Sequence, residues 1–144
     1  RTLPKYRGKP AKLPPKKRAM QRHVHRVFVS SLLEKRHRIE AAAWLQKETG
    51  DRTARLLGRF KRERDALKFV QELYRAGAGE VIAPDSYRNK AGDQFADCLL
   101  VRLPKLATKR KAIRKACGRL RKSRLGAFEP QKEIGESHLF LSLD

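Results

Sequence analysis

Residues 95–103 read FADCLLVRL, and Pro104 separates them from the cationic stretch 105–124, KLATKRKAIRKACGRLRKSR. The first stretch is mostly aliphatic, which predicts a buried strand that ends at the proline. In the second stretch, apolar residues recur at i, i+1, i+4, i+5 and i+8, which is the spacing of one face of an α-helix: Ala112, Ile113, Ala116, Cys117 and Leu120. A strand that leads into an amphipathic helix indicates a domain in which helices pack on a sheet.

The polar side of this predicted helix carries a single sign of charge. No acid lies between Asp97 and Glu129. Because solvated helix faces usually mix charges, and like charges at i, i+4 repel, we expect this side to contact phosphates rather than solvent alone. The predicted contact residues are Lys109, Arg110, Lys111, Arg114, Lys115, Arg119, Arg121 and Lys122.

The neighbouring segments complete an α+β pattern over residues 53–144. Residues 54–60 and 79–83 read as strands, residues 62–76 as a helix that ends before Gly77, and residues 84–94 as a long hairpin loop. Residues 138–143, HLFLSL, read as a last strand. The order predicts a ferredoxin-like split β-α-β sandwich, in which four antiparallel strands form one sheet and both helices cover one face. The other face is expected to be open or covered by the N-terminal region.

Residues 1–19 differ in composition from the rest of the chain. They hold four of the seven prolines, and ten Lys or Arg precede the first acid, Glu34. Segments that are rich in proline and carry charge of a single sign resist helix formation and become ordered only on binding. This composition predicts an extended, disordered basic arm that binds a polyanion. A passive tail and a targeting segment are the alternatives. The expected contacts of the arm and the residues after it are Lys5, Arg7, Lys9, Lys12, Lys16, Lys17, Arg18, Arg22 and Arg26.

Residues 20–50 are predicted to form an N-terminal helical segment. Residues 34–46, EKRHRIEAAAWLQ, are strong helix formers, and Gly50 is a plausible terminator. The upstream residues 23–31, HVHRVFVSS, fit either the start of the same helix or a separate strand. The spacing of their apolar residues does not distinguish a helix from a strand here. We expect one helix that begins near Met20 and docks on the main domain through Trp44.

Composition narrows the classes of function. The 144 residues carry 36 Lys plus Arg against 15 Asp plus Glu, a net charge of +21. So much like charge is costly unless a polyanion neutralises it, which disfavours an ordinary small-molecule enzyme. No apolar run reaches the roughly 18 residues of a membrane span. Two cysteines without a C-x-x-C spacing favour a reducing, intracellular and cytoplasmic location over a disulfide framework or zinc site, with an organelle as the alternative.

Catalytic motifs are weak. The sequence holds no Walker A loop, no G-x-G-x-x-G and no G-x-S-x-G, so no cofactor is expected. Pro84-Asp85 followed by Asp97 partly matches a nuclease pattern, but the lysine that this pattern needs after the second acid is missing. A small Mg²⁺-dependent nuclease using Asp85, Asp93 and Asp97 therefore stays an alternative. The strand around Phe95 lacks the other aromatics of an RNA-recognition strand.

The sequence thus predicts a non-catalytic nucleic-acid-binding protein, with structured RNA the expected partner and phosphates the expected contacts. A Pro/Lys/Arg extension on a compact α/β domain resembles the extensions of many ribosomal and ribosome-associated proteins, which implies a ribonucleoprotein component. A DNA-binding accessory or regulatory protein is a further alternative. Oligomeric state and sequence preference have no signature in the chain.

Overall fold

The computed structural model describes residues 14–46, 53–122 and 133–143. The helices are α1 (Pro15–Leu33), α2 (Ala41–Gln46), α3 (Glu63–Ala76) and α4 (Ala107–Lys122). The strands are β1 (Ile39–Glu40), β2 (Arg55–Leu57), β3 (Glu80–Ala83), β4 (Ser86–Arg88), β5 (Gln94–Ala96), β6 (Cys98–Arg102) and β7 (His138–Ser142). The α+β class is confirmed.

The main sheet is antiparallel and four-stranded, in the order β1-β3-β6-β7. Its central strand β6 is the aliphatic stretch that the sequence singled out. Leu99 and Val101 point into the larger core, whereas Leu100 lies in a second apolar cluster on the opposite face. A strand buried on both faces carries a continuous apolar run instead of an alternating one, which explains the LLV of β6.

The second sheet is mixed and three-stranded, in the order β2-β5-β4, with β2 parallel and β4 antiparallel to β5. The predicted strand 95–103 is therefore two strands, which separate at the exposed Asp97. Asp97 uses its carbonyl oxygen to accept a hydrogen bond from the Leu143 N–H at 2.8 Å, outside both ladders. The predicted loop 84–94 is also corrected, because it contains β4.

The ferredoxin-like arrangement is not confirmed. It requires the four predicted strands in one sheet, but β2 pairs with β5 in the second sheet instead. The edge position of the main sheet is taken by β1, from a segment that was predicted to be helical. The predicted helices 62–76 and 105–124 and the strands 79–83 and 138–143 are present with shifts of a few residues.

Helices cover both faces of the main sheet. Helices α2, α3 and α4 pack over the larger core on one face. On the other face, Val29 of α1 packs against Ile82 and Leu100, and the rings of Phe28 and Phe140 meet edge to face at 5.0 Å. The N-terminal region therefore covers the second face, which was one of the two expected outcomes.

The N-terminal segment is two helices rather than one. Helix α1 starts with Pro15, because a proline is well tolerated in the first turn, where its missing N–H needs no partner. The predicted extended arm is thus helical from residue 15 on, and its residues 1–13 lie outside the described part of the chain. After α1, Glu40 pairs in β1 and its carboxylate accepts the N–H groups of Ala42 and Ala43, which starts α2.

Docking through Trp44 is confirmed. Its side chain is buried in the larger core, and its indole Nε1–H donates to Oε1 of Gln94 at 2.9 Å. The backbone carbonyl of Trp44 also accepts a hydrogen bond from the guanidinium of Arg55. Helix α2 is therefore attached to both β2 and β5 of the second sheet.

Two glycines give opposite predictions for one substitution. Gly58 has φ of +52°, and a Cβ there would lie 2.3 Å from the Cβ of Leu143, so we expect Gly58→Ala to lower the free energy of unfolding by at least about 2 kcal/mol. Gly118 lies inside α4, and beyond its chain neighbours and its own helix backbone an added Cβ meets no described atom within 4 Å, so Gly118→Ala should raise the free energy of unfolding by about 0.5–1 kcal/mol. Urea unfolding followed by the fluorescence of Trp44, the single tryptophan, measures both changes.

Candidate nucleic-acid interface

Helix α4 packs through the predicted apolar stripe. Ile113, Ala116, Cys117 and Leu120 are buried, whereas Ala112 is exposed at the edge of the stripe. Burial raises the pKa of the Cys117 thiol to about 12, so this cysteine is a core residue and not a nucleophile at neutral pH. Packing of this stripe fixes which cations of α4 face solvent and which face the rest of the protein.

Two of the predicted phosphate contacts are engaged inside the protein. Arg110 contacts Glu133 and lies 3.2 Å from Oε1 of Glu136, and it also donates to the carbonyl of Pro104. Arg114 lies 3.2 Å from Glu133 and also contacts Glu136. The side chains of the two arginines are only 12% and 17% exposed. These four residues, named here the ion cluster, hold α4 against the segment that leads into β7.

The ion cluster combines a fully and a partly buried carboxylate. Glu136 is 2% exposed in its side chain, and it also accepts the backbone N–H of Ile134. Burial alone would raise the pKa of the Glu133 carboxyl. The hydrogen bonds from Arg110 and the Gly135 N–H, with the charges of both arginines, outweigh that effect and lower the Glu133 pKa. Glu133 is therefore ionised at neutral pH and neutralises part of the arginine charge.

The other cations of α4 whose side chains the structure describes are all exposed. Arg119 pairs with Glu72 of α3 at 2.5 Å and lies at the exposed edge between the two helices. Lys111 and Lys115, one turn apart and named here the lysine ridge, are exposed opposite the buried stripe. Lys109 is also exposed, with its side chain beside Gly77. The side chains of Arg121 and Lys122, at the end of α4, lie outside the described part of the structure.

A groove of about 310 Å³ opens between α1 and the connection from β6 to α4. It is named here the basic groove. Arg22, His25 and Arg26 form its α1 wall, and Arg102, Lys105 and Arg110 form much of the opposite wall. The acid in its lining is Glu136, which is already bound to Arg110 and Arg114. The groove therefore concentrates positive charge in a concave space.

Hydrogen bonds to backbone carbonyls hold much of the basic groove in place. Arg22 Nε donates to the carbonyl of Ile134 at 2.9 Å, and His25 Nε2 donates to the carbonyl of His138 at 2.6 Å. Arg102 reaches the carbonyl of Gly79 at 3.5 Å. Within the described ranges, Arg26 and Lys105 form no ion pair, so they are the cations most available to a ligand.

The structure brings together cations that are far apart in the sequence. Arg22 and Arg26 were predicted with the arm and Arg110 with the basic helix, and all three line the basic groove. Arg102 and Lys105 were not predicted as contacts, although they lie on either side of Leu103 and the strand-ending Pro104. Lys16, Lys17 and Arg18 lie on the first turns of α1. The predicted contacts Lys5, Arg7, Lys9 and Lys12 lie outside the described residues.

The three acids of the nuclease alternative have separate structural roles. Asp85 pairs with Lys35 at 3.5 Å, Asp93 accepts the Ala54 N–H at 3.1 Å, and Asp97 accepts the Tyr87 hydroxyl at 3.5 Å. Across residues 14–46, 53–122 and 133–143, no three His, Cys, Asp or Glu side chains are grouped so that they could hold a metal ion.

Comparisons with known proteins find no relative of this chain. No protein-family model matches it, and neither a curated protein nor a solved structure does. None of the helices in the described part of the chain combines the length and hydropathy needed to cross a bilayer.

The ion cluster predicts unequal costs for two similar substitutions. Glu136→Gln removes a buried charge that two arginines share, and we expect a loss of about 3 kcal/mol in the free energy of unfolding, because two partly buried guanidinium groups lose the buried carboxylate between them. Glu133→Gln removes a carboxylate that is 48% exposed, and we expect at most about 1 kcal/mol. Denaturant unfolding of both variants measures the difference, and equal losses would contradict this account of the cluster.

Proposed function

We propose that this protein is a non-catalytic binder of structured RNA that holds sugar-phosphate backbone in the basic groove and along the lysine ridge. One observation carries the proposal. Among the described residues, five Lys or Arg side chains line a space of about 310 Å³, and the carboxylate in that lining, Glu136, is already paired with arginines. Like charges that converge on a concave surface repel, and a bound polyanion removes that repulsion.

Two physical features favour phosphates as the bound groups. Arginine guanidinium groups match phosphate oxygens with two parallel N–H donors, and Arg26 and Arg102 are placed on facing walls of the groove. A concave surface with one sign of charge also focuses its field, which raises both affinity and association rate for a polyanion. Contacts of this kind position a nucleic acid without reading its sequence.

The choice of RNA over DNA rests on the shape of the cationic surface. The groove lies at a corner between α1 and the β6–α4 connection, whereas a major-groove reader presents the face of one helix. A folded RNA offers irregular phosphate arrangements that suit such a corner. We extend the proposal to a ribonucleoprotein or ribosome-associated role in a reducing, cytoplasmic setting, where Cys98 and Cys117 stay as free thiols.

The test is a titration of the full chain with a folded RNA, with bulk transfer RNA as the probe, over a range of salt. We expect Lys111→Ala with Lys115→Ala to make the slope of log affinity against log salt shallower by about 1.5, because two phosphate contacts are lost. We expect Arg26→Ala with Lys105→Ala to weaken binding about tenfold at roughly 0.1 M salt.

The matched control removes the same charge from α3. Arg64 and Lys68 are exposed one turn apart, on a helix that also carries Glu63, Asp65 and Glu72. Arg64→Ala with Lys68→Ala should change affinity and slope less than either test pair. Equal effects of all three pairs would mean that net charge alone drives binding. No binding of the RNA by the native chain would overturn the proposal, and tighter binding of a DNA duplex would favour a DNA-binding role.

A cleavage assay separates the binder from the Mg²⁺-dependent nuclease. We expect the same folded RNA and a DNA duplex to stay intact with Mg²⁺ or Mn²⁺, because Asp85, Asp93 and Asp97 are engaged with three different partners. Metal-dependent cleavage that disappears in Asp97→Asn would instead establish the enzyme. Cleavage that persists in Asp97→Asn would indicate a contaminating nuclease.

A further inference from the structure

One face of the second sheet carries an apolar row across its three strands. Leu56 of β2 and Tyr87 of β4 are both in register with Phe95 of β5, so the three side chains project from the same face. The sequence placed Phe95 alone on a strand and Tyr87 in a loop. The register of β4 brings the two aromatic residues together.

Tyr87 and Phe95 form a stacked pair with an exposed outer ring. Their centroids lie 5.5 Å apart with 18° between the ring planes, and Tyr87 is 51% exposed. The Tyr87 hydroxyl contacts Asp97 Oδ1 at 3.5 Å. Because β4 is an edge strand, Phe95 supports Tyr87 from the inner side. An exposed aromatic ring on the border of a sheet has the form of a platform for one more flat ring.

A groove of mixed charge lies along the same edge strand. Tyr87 contributes to the wall of a space of about 450 Å³ that is also lined by His37, Asp85, Ser86, Arg88 and Gln94. Asp85 is paired with Lys35. Arg88, which follows Tyr87 on β4 and projects from the opposite face of the sheet, is exposed and has no ion pair among the residues that the structure describes. The exposed Lys90 follows in the β4–β5 turn. Positive charge next to an exposed aromatic ring is the combination that binds a nucleotide by its base and its phosphate.

We propose that Tyr87 is a stacking site for an unpaired nucleobase at the edge of the second sheet, where the exposed Arg88 and Lys90 add positive charge to attract its phosphates. This inference rests on the proposed function and adds a preference to it. The basic groove and lysine ridge bind backbone of any structure, whereas the Tyr87 site takes only a base that is free to leave its helix. Stacking accepts every base, since each has a π-face, so the site selects unpaired RNA without selecting sequence.

The experiment compares a single-stranded RNA 12-mer with the blunt duplex of the same sequence, both titrated with the full chain and read by fluorescence anisotropy. We expect Tyr87→Leu to weaken binding of the single strand about fivefold or more, which is the effect of losing one base stack of about 1 kcal/mol. Binding of the duplex and both salt slopes should stay within about twofold of the native values, because no phosphate contact is removed.

Two conservative variants serve as controls. Tyr87→Phe keeps the ring and loses the hydroxyl, so it should bind the single strand as the native chain does. Tyr87→Trp enlarges the ring, should bind at least as tightly, and its added fluorescence should be quenched by the single strand and not by the duplex. The thermal midpoint of each variant shows that the fold is kept, since Tyr87 lies at the surface.

Each outcome has one meaning. A selective loss in Tyr87→Leu with rescue by Tyr87→Phe supports the stacking site. An equal loss for single strand and duplex, or no loss for either, overturns it while leaving phosphate binding in place. Failure of the native chain to bind either RNA would instead remove the proposed function, which the transfer-RNA titration tests separately.

Discussion

Burial of β6 on both faces is the constraint on which the rest of the structure depends. Leu99 and Val101 point into the larger core and Leu100 points the other way, so neither face of the main sheet can be left to water. Helix α1 therefore has to lie over the row formed by Ile82, Leu100 and Phe140. Once it is there, its cationic residues border the connection that leaves β6 for α4. The basic groove is thus a consequence of how an apolar strand is covered.

The cations of α4 have different roles at different positions of the helix. Arg110 and Arg114 form the ion cluster with Glu133 and Glu136, where planar guanidinium groups each reach more than one acceptor. Lysines remain on the outward face, where a flexible, hydrated ammonium group stays in water. A helix that reads as uniformly cationic therefore has a structural flank and a solvent face. Substitutions of Arg110 and Arg114 are therefore expected to change the stability of the fold as well as the binding of any ligand.

The proposed binding of a nucleic acid uses two kinds of surface. The basic groove and the lysine ridge would bind through charge, and the affinity of such contacts falls as the salt concentration rises. The pair of Tyr87 and Phe95 offers a flat apolar surface at the edge of another sheet, where salt has little effect. A protein with net charge +21 would bind polyanions with little discrimination through charge alone. An aromatic surface outside the groove supplies a preference that charge cannot.

Local patterns in the sequence determined the α+β class, helices α3 and α4, the aliphatic strand and the burial of Trp44, because periodicity and terminators act within a few residues. Tertiary structure alone decided the rest. The break at Asp97 divides one apolar run between two sheets. Glu40 starts a second helix within a run of helix-forming residues that local pattern assigns to a single helix. The acids that pair with Arg110 and Arg114 lie about twenty residues further along the chain. The stack of Tyr87 on Phe95 likewise depends on a strand register. Pairings between distant segments leave no periodic signal, since they depend on which surfaces the whole chain must bury.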